Sequence, residues 1–184
     1  MEGASGKKQK RFTVGRITFC GLLTAIMLIL GFVESQLPAG PVPGIKLGLS
    51  NSVLVFAVYL MDIPTAFLLM AMKVLLSGFL FGSVSSMMYA FAGGLASMIA
   101  MALLSRVKGV HPAVTSMTGG AMHNIGQVTL AMAVLETTSL LYYMAILMFV
   151  GMACGALSGL CADRVMKILK STKYGRELRG RDPS

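Results

Sequence analysis

The chain has 184 residues, of which 55% are hydrophobic and only 12% charged, and this leaves too few charged side chains to coat a soluble surface. Its length accommodates one membrane domain, since six spans of ~20 residues with short loops would use nearly all of it. The net charge of +9 does not mark a nucleic-acid partner, because its placement follows the cytoplasmic bias of Lys and Arg in membrane proteins.

Segment 1–16 is a basic stretch carrying Lys7, Lys8, Lys10, Arg11 and Arg16. The first apolar run, about 17–37, exceeds the apolar core of a signal peptide and is followed by further runs, so it is read as a span. It ends in Pro38-Ala39-Gly40-Pro41-Val42-Pro43-Gly44, which cannot be regular helix. The second run, about 47–61, is short for a hydrocarbon core of ~30 Å. Either its neighbours help it or the Pro/Gly loop dips inward. Asp62-Ile63-Pro64 restarts a helix, with Pro64 suited to a first turn and Asp62 near the positive dipole end.

This third run, about 64–81, is interrupted once, by Lys73. Gly82-Ser83 turns into a fourth run, about 84–105, and a loop with Arg106 and Lys108 leads to the fifth and sixth, about 113–135 and 140–162. The membrane domain is thus expected over 17–165, with a basic cytoplasmic tail at 166–184 that is polar from about Lys170. The expected fold is an all-α bundle of six transmembrane helices with both termini cytoplasmic. Cys20, Cys154 and Cys161 lie inside apolar runs without a CxxC spacing and are read as small packing residues.

With the N-terminus inside, the 38–46 loop and the turns at 82–84 and 136–139 face outward. Every basic residue then lies inside except Lys46 and Lys73. Lys73 falls near the middle of its span, where a lysine costs roughly 2.5–3.5 kcal/mol. We read it as facing an interior cavity and holding an anion. The competing reading is a structural ion pair with Glu34, Asp62 or Glu136, all of which sit near span ends. Ser77, one turn later, shares the Lys73 face. His123 and Gln127 share a face of the fifth run and Asn124 adjoins it, so the three either line a cavity or bond helices together. Lys46, at the outer mouth, either steers an anion or rests at headgroup level. Asn51 is expected in the outer leaflet region, and Glu34 and Gln36 could complete a polar mouth.

Gly151, Gly155 and Gly159 form a small-residue stripe, and Gly93-Gly94 and Gly119-Gly120 mark close approaches, most simply within the bundle. No phosphate-binding loop, GxSxG or aspartate-rich DDxxD pair occurs, and there is no HExxH or Cys/His cluster. The chain is therefore expected not to be an enzyme and to need no cofactor or metal. Any active transport would draw on a partner or an ion gradient.

Across about residues 15–165 the sequence resembles one family. The matching pieces are Lys46-Leu47-Gly48-Leu49-Ser50-Asn51, the segment Lys73 to Ser83, Ala92-Gly93-Gly94, and Gly119 to Gln127. Together they resemble the Gx transporter family, labelled heptaprenyl diphosphate synthase component I, which is similar to the substrate-binding S-components of energy-coupling factor (ECF) transporters. The resemblance implies a six-helix S-component fold with a ligand pocket toward the outer side, capped by the first outer loop. It also implies docking onto a transmembrane coupling subunit and two ATPases. S-components meet that subunit through an AxxxA motif on the first helix, where this chain has Gly21-Leu22-Leu23-Thr24-Ala25, of preserved size.

The expected protein is a multi-pass plasma-membrane subunit that takes up a small, vitamin- or cofactor-like anion, with a flavin, a quinone and an isoprenoid precursor all open. Its ligand residues are expected to be Lys46, Asn51, Lys73, Ser77, His123, Asn124 and Gln127, and its docking residues Gly21 and Ala25. The alternative is a non-catalytic membrane accessory protein of prenyl diphosphate or quinone metabolism.

Overall fold

The apolar runs fold as helices wherever the structure, a computed structural model, describes the chain, at residues 14–36 and 49–172. In order these are α1 (Val14–Gln36), α2 (Leu49–Ser52), α3 (Leu54–Leu60), α4 (Ile63–Phe81), α5 (Val84–Leu104), α6 (Pro112–Val134) and α7 (Leu141–Ser171), with no strand among the described residues. Lys46 and the Pro/Gly loop of 38–44 lie outside the described residues, as do the basic residues before Val14 and beyond Thr172.

Side chains set the helix starts. Asp62 caps α4, its carboxylate accepting from the Thr65 N–H at 3.0 Å and the Thr65 hydroxyl at 2.6 Å, with Pro64 in the first turn. Ser83 caps α5 by accepting from Ser86 N–H at 3.2 Å. His111 caps α6, its Nδ1 accepting from Ala113 N–H at 3.2 Å ahead of Pro112. These caps satisfy backbone donors that would otherwise have no partner in the first turns.

The helices bury polar residues and expose apolar ones. On α4, Phe67, Leu68, Leu75, Leu76, Phe79 and Leu80 are exposed while Thr65, Lys73 and Ser77 are buried. Water would favour the reverse; hydrocarbon favours this arrangement, because it cannot satisfy a polar group. Among the described residues, four helices are long and apolar enough to cross a membrane: α1, α4, α5 and the Leu141–Leu169 part of α7. The protein is accordingly a multi-pass membrane protein.

The two other expected spans take different forms. The second run appears as α2 and α3, separated at Val53, with Leu54, Val55, Ala57 and Leu60 almost fully buried. Protein encloses this short pair, since α2 packs on α1, α6 and α7, and α3 packs on α4, α5, α6 and α7. A segment surrounded by helices need not match the bilayer thickness. The fifth run is α6, whose 23 residues reach roughly 35 Å. Thr115, Ser116, His123, Asn124 and Gln127 make it too polar to join the four apolar spans, and all five are buried.

α6 is the axis of the bundle, packed along its length between α5 and α7. The glycine stripe makes the α7 contact. A Cβ on Gly151 would collide with the Gly120 carbonyl, one on Gly155 with the Ser116 carbonyl, and one on Gly159 with Ala113 Cα. The stripe therefore packs within the bundle. α7 also continues to Ser171, past the expected end near Ala162, helped by a 2.7 Å Lys167–Asp163 pair four residues apart.

Candidate functional site

Lys73 is the eleventh of the 19 residues of α4, and His123 the twelfth of the 23 of α6. Both are therefore halfway along their helices. Asn51 joins them. Lys73 Nζ donates to Asn51 Oδ1 at 3.0 Å, and Asn51 Nδ2 lies 2.6 Å from His123 Nδ1. The three side chains are between 1% and 3% exposed, so a chain of polar contacts runs from α4 through α2 to α6 inside an apolar bundle. Asn51 thus lies in the bundle interior, between two of the other residues expected to form the site.

A second set continues from α6 to α7. Gln127 Nε2 donates to Asn124 Oδ1 at 2.7 Å, and Asn124 Nδ2 donates to the Leu147 carbonyl at 2.6 Å. A helical carbonyl has a second lone pair, so this bond does not require α7 to unwind. Asn124 thus ties α6 to α7 in this geometry, and Gln127 holds the Asn124 amide from the same helix. Ser77 is buried on the Lys73 face, but its hydroxyl donates to the Val74 carbonyl of its own helix at 3.3 Å.

Two glycines act as walls, a role their spacing did not reveal. A Cβ on Gly93 would come within 2.7 Å of His123 Nδ1, so α5 presses directly on the imidazole. A Cβ on Gly151 would collide with Asn124 Nδ2. The sequence marked both as places where backbones approach, whereas the nearest groups include the ring and the amide.

The carboxylates weighed as counter-charges for Lys73 have other surroundings. Glu34 is 1% exposed and accepts from Leu49 N–H at 2.6 Å, from the Ser50 hydroxyl at 2.9 Å and from Ser50 N–H at 3.4 Å. It caps α2, where the helix presents unpaired N–H groups, and so fills an interior role rather than lining an open mouth. Asp62 pairs with Arg16 Nη2 at 2.6 Å, and Glu136 is exposed in the α6–α7 turn. Burial raises the Asp62 pKa, but the Thr65 and Arg16 hydrogen bonds outweigh it and bring it down to about 2. That pair fastens α1 to the start of α4.

Gly21 and Ala25 are exposed on the outer face of α1, and a Cβ on Gly21 would meet nothing within 4 Å.

Neither a curated protein nor a solved structure matches the chain. The family described as heptaprenyl diphosphate synthase component I matches residues 23–165, from α1 into α7, and so takes in Asn51, Lys73 and His123: the chain belongs to that family.

Proposed function

We propose that the protein is the substrate-binding membrane subunit of an ECF-type transporter and takes up a small anion, with Lys73 as the charge that holds it. The observation that carries this reading is the buried chain Lys73–Asn51–His123, halfway along two long helices whose outer faces are apolar. An ionisable group at that depth is costly, and such residues usually mark a ligand or ion path. In this reading α6 and the α2–α3 pair complete six spans, both termini are cytoplasmic, and the membrane is the plasma membrane. The positions of the basic residues support that orientation. The open Gly21–Ala25 face of α1 is where a coupling subunit with its ATPases would dock. Lys46, on the outer approach, would guide the anion inward. The chain itself performs no reaction.

The test is mass spectrometry of small molecules that copurify with the protein in mild detergent. A retained anion that disappears in Lys73→Ala, together with reduced uptake by cells carrying that variant, is the expected result. If nothing is retained and uptake is unaffected by Lys73→Ala, the reading fails. The second reading, favoured by the family's description, is a membrane accessory of a heptaprenyl diphosphate synthase. It predicts that synthase activity, rather than uptake, falls when the protein is removed.

A further inference from the structure

Asn51 has one accepting end and one donating end, and its two neighbours constrain both. A lysine ammonium only donates, so Oδ1 must face Lys73, as it does at 3.0 Å. The NH₂ end then faces His123 Nδ1, 2.6 Å away, so that nitrogen is the acceptor and the ring carries its proton on Nε2. A protonated imidazole donates from both nitrogens and would meet the Asn51 NH₂ donor to donor. Turning the amide over relieves that contact but sets the NH₂ against the Lys73 ammonium. The amide can therefore serve a charged Lys73 or a charged His123, but not both.

We propose that Asn51 is a two-position switch that couples anion capture at Lys73 to proton uptake at His123. When an anion draws the ammonium away from Oδ1, the amide turns over. His123 Nδ1 then takes one proton from water and donates it to Oδ1. With Lys73 and His123 both charged, the site fits a group of two negative charges, such as a phosphate or diphosphate, better than a single carboxylate. This use of the switch rests on the anion-binding role proposed for Lys73; the opposition at the amide does not.

The described elements packed around α6 are α2, α3, α5 and α7. α2 contributes no titratable group, and Tyr59 of α3 bonds Thr115, two turns away, at 2.8 Å. At the level of His123, α5 presents Gly93, with Tyr89 one turn off, and α7 presents Leu147 and Gly151, with Cys154 one turn off. Glu34 on α1 is engaged with α2.

The test is nitrogen NMR of ¹⁵N-histidine protein in lipid nanodiscs. The chain has two histidines, and His111→Asn, which keeps a capping side chain at α6, leaves His123 as the only signal. In the parent the ring is expected to carry one proton, on Nε2, with Nδ1 as the acceptor. Asn51→Asp supplies two accepting oxygens that serve both neighbours at once, and Lys73→Met releases Oδ1. Each should raise the doubly protonated fraction of His123 by at least about fivefold. Unchanged neutral rings in the variants overturn the proposal, as does a doubly protonated ring with Asn51 and Lys73 intact. The two variants reach one readout by different routes, so either suffices if the other does not fold. No ligand enters the measurement, so its failure is separate from that of the retention experiment.

Discussion

The side-chain amide of Asn124 on α6 occupies the space that a Cβ on Gly151 of α7 would need. The glycine is thus what lets a polar side chain cross between two tightly packed helices and bond the Leu147 carbonyl at 2.6 Å. Gly151→Ala would force apart both the amide and the Gly120 carbonyl, and backbone cannot give way as a flexible side chain can. We expect a loss of about 1–3 kcal/mol, typical of overpacking, read as a lower thermal unfolding temperature in detergent. Gly21→Ala is the contrast: its Cβ meets nothing within 4 Å, so stability should hold or rise slightly.

Glu34 should prove structural. Its carboxylate is buried and takes two N–H groups and a hydroxyl at the start of α2. Glu34→Ala leaves those donors unsatisfied in the interior, for a cost of about 1–3 kcal/mol. Hydrogen exchange at the Leu49 and Ser50 amides should quicken in Glu34→Ala before exchange elsewhere changes. Glu34→Gln, which keeps one accepting oxygen, should fall between that variant and the parent.

The Arg16–Asp62 pair gives a pH signature. Asp62 lies at about 2 in the folded protein against 3.8 unperturbed, so the unfolded state binds its proton first as the pH drops. The stabilisation from the Thr65 and Arg16 bonds to Asp62 is therefore complete above roughly pH 4 and fades as the pH falls toward about 2. Asp62 is only partly buried, so the effect should stay below about 1 kcal/mol after solvent screening. Thermal unfolding of the parent and of Asp62→Asn, compared across that range, should converge at the acid end. A gap that persists there would mean that the charge of Asp62, held by Thr65 and Arg16, is not what the residue contributes.

Much of this architecture is legible in the sequence because hydrocarbon imposes simple rules. Long apolar runs announced α1, α4, α5 and α7, and Lys73, His123 and Asn51 stood out as misfits in such runs. The bond between Asn51 and His123 was not legible, since the residues are 72 positions apart and no local pattern links them. Glu34 was misplaced for a similar reason. A carboxylate at a helix end looks like an exposed group until the next helix is seen to start against it. α7 extends further than its composition implied, because a basic, partly polar stretch can remain helical through pairs such as Asp163–Lys167.

Lys73 offers the sharpest separation of stability from function. Lys73→Met removes a hydrogen bond from a charged donor to Asn51, a loss of about 1.5–3 kcal/mol. It also removes an ammonium from the middle of a span, a relief of about 2.5–3.5 kcal/mol. The two nearly cancel, so the unfolding free energy should stay within about 1 kcal/mol of the parent while retention of a bound anion is lost. Asn51→Leu does the opposite: it keeps the ammonium and takes away the oxygen that faces it. That variant should be clearly less stable than Lys73→Met, by about 2 kcal/mol or more, because a buried charge has lost a partner. Thermal unfolding and ligand retention measured on both variants decide the matter. If Lys73→Met proves the less stable of the two, the lysine is a structural strut, and the anion site must be sought elsewhere in the bundle.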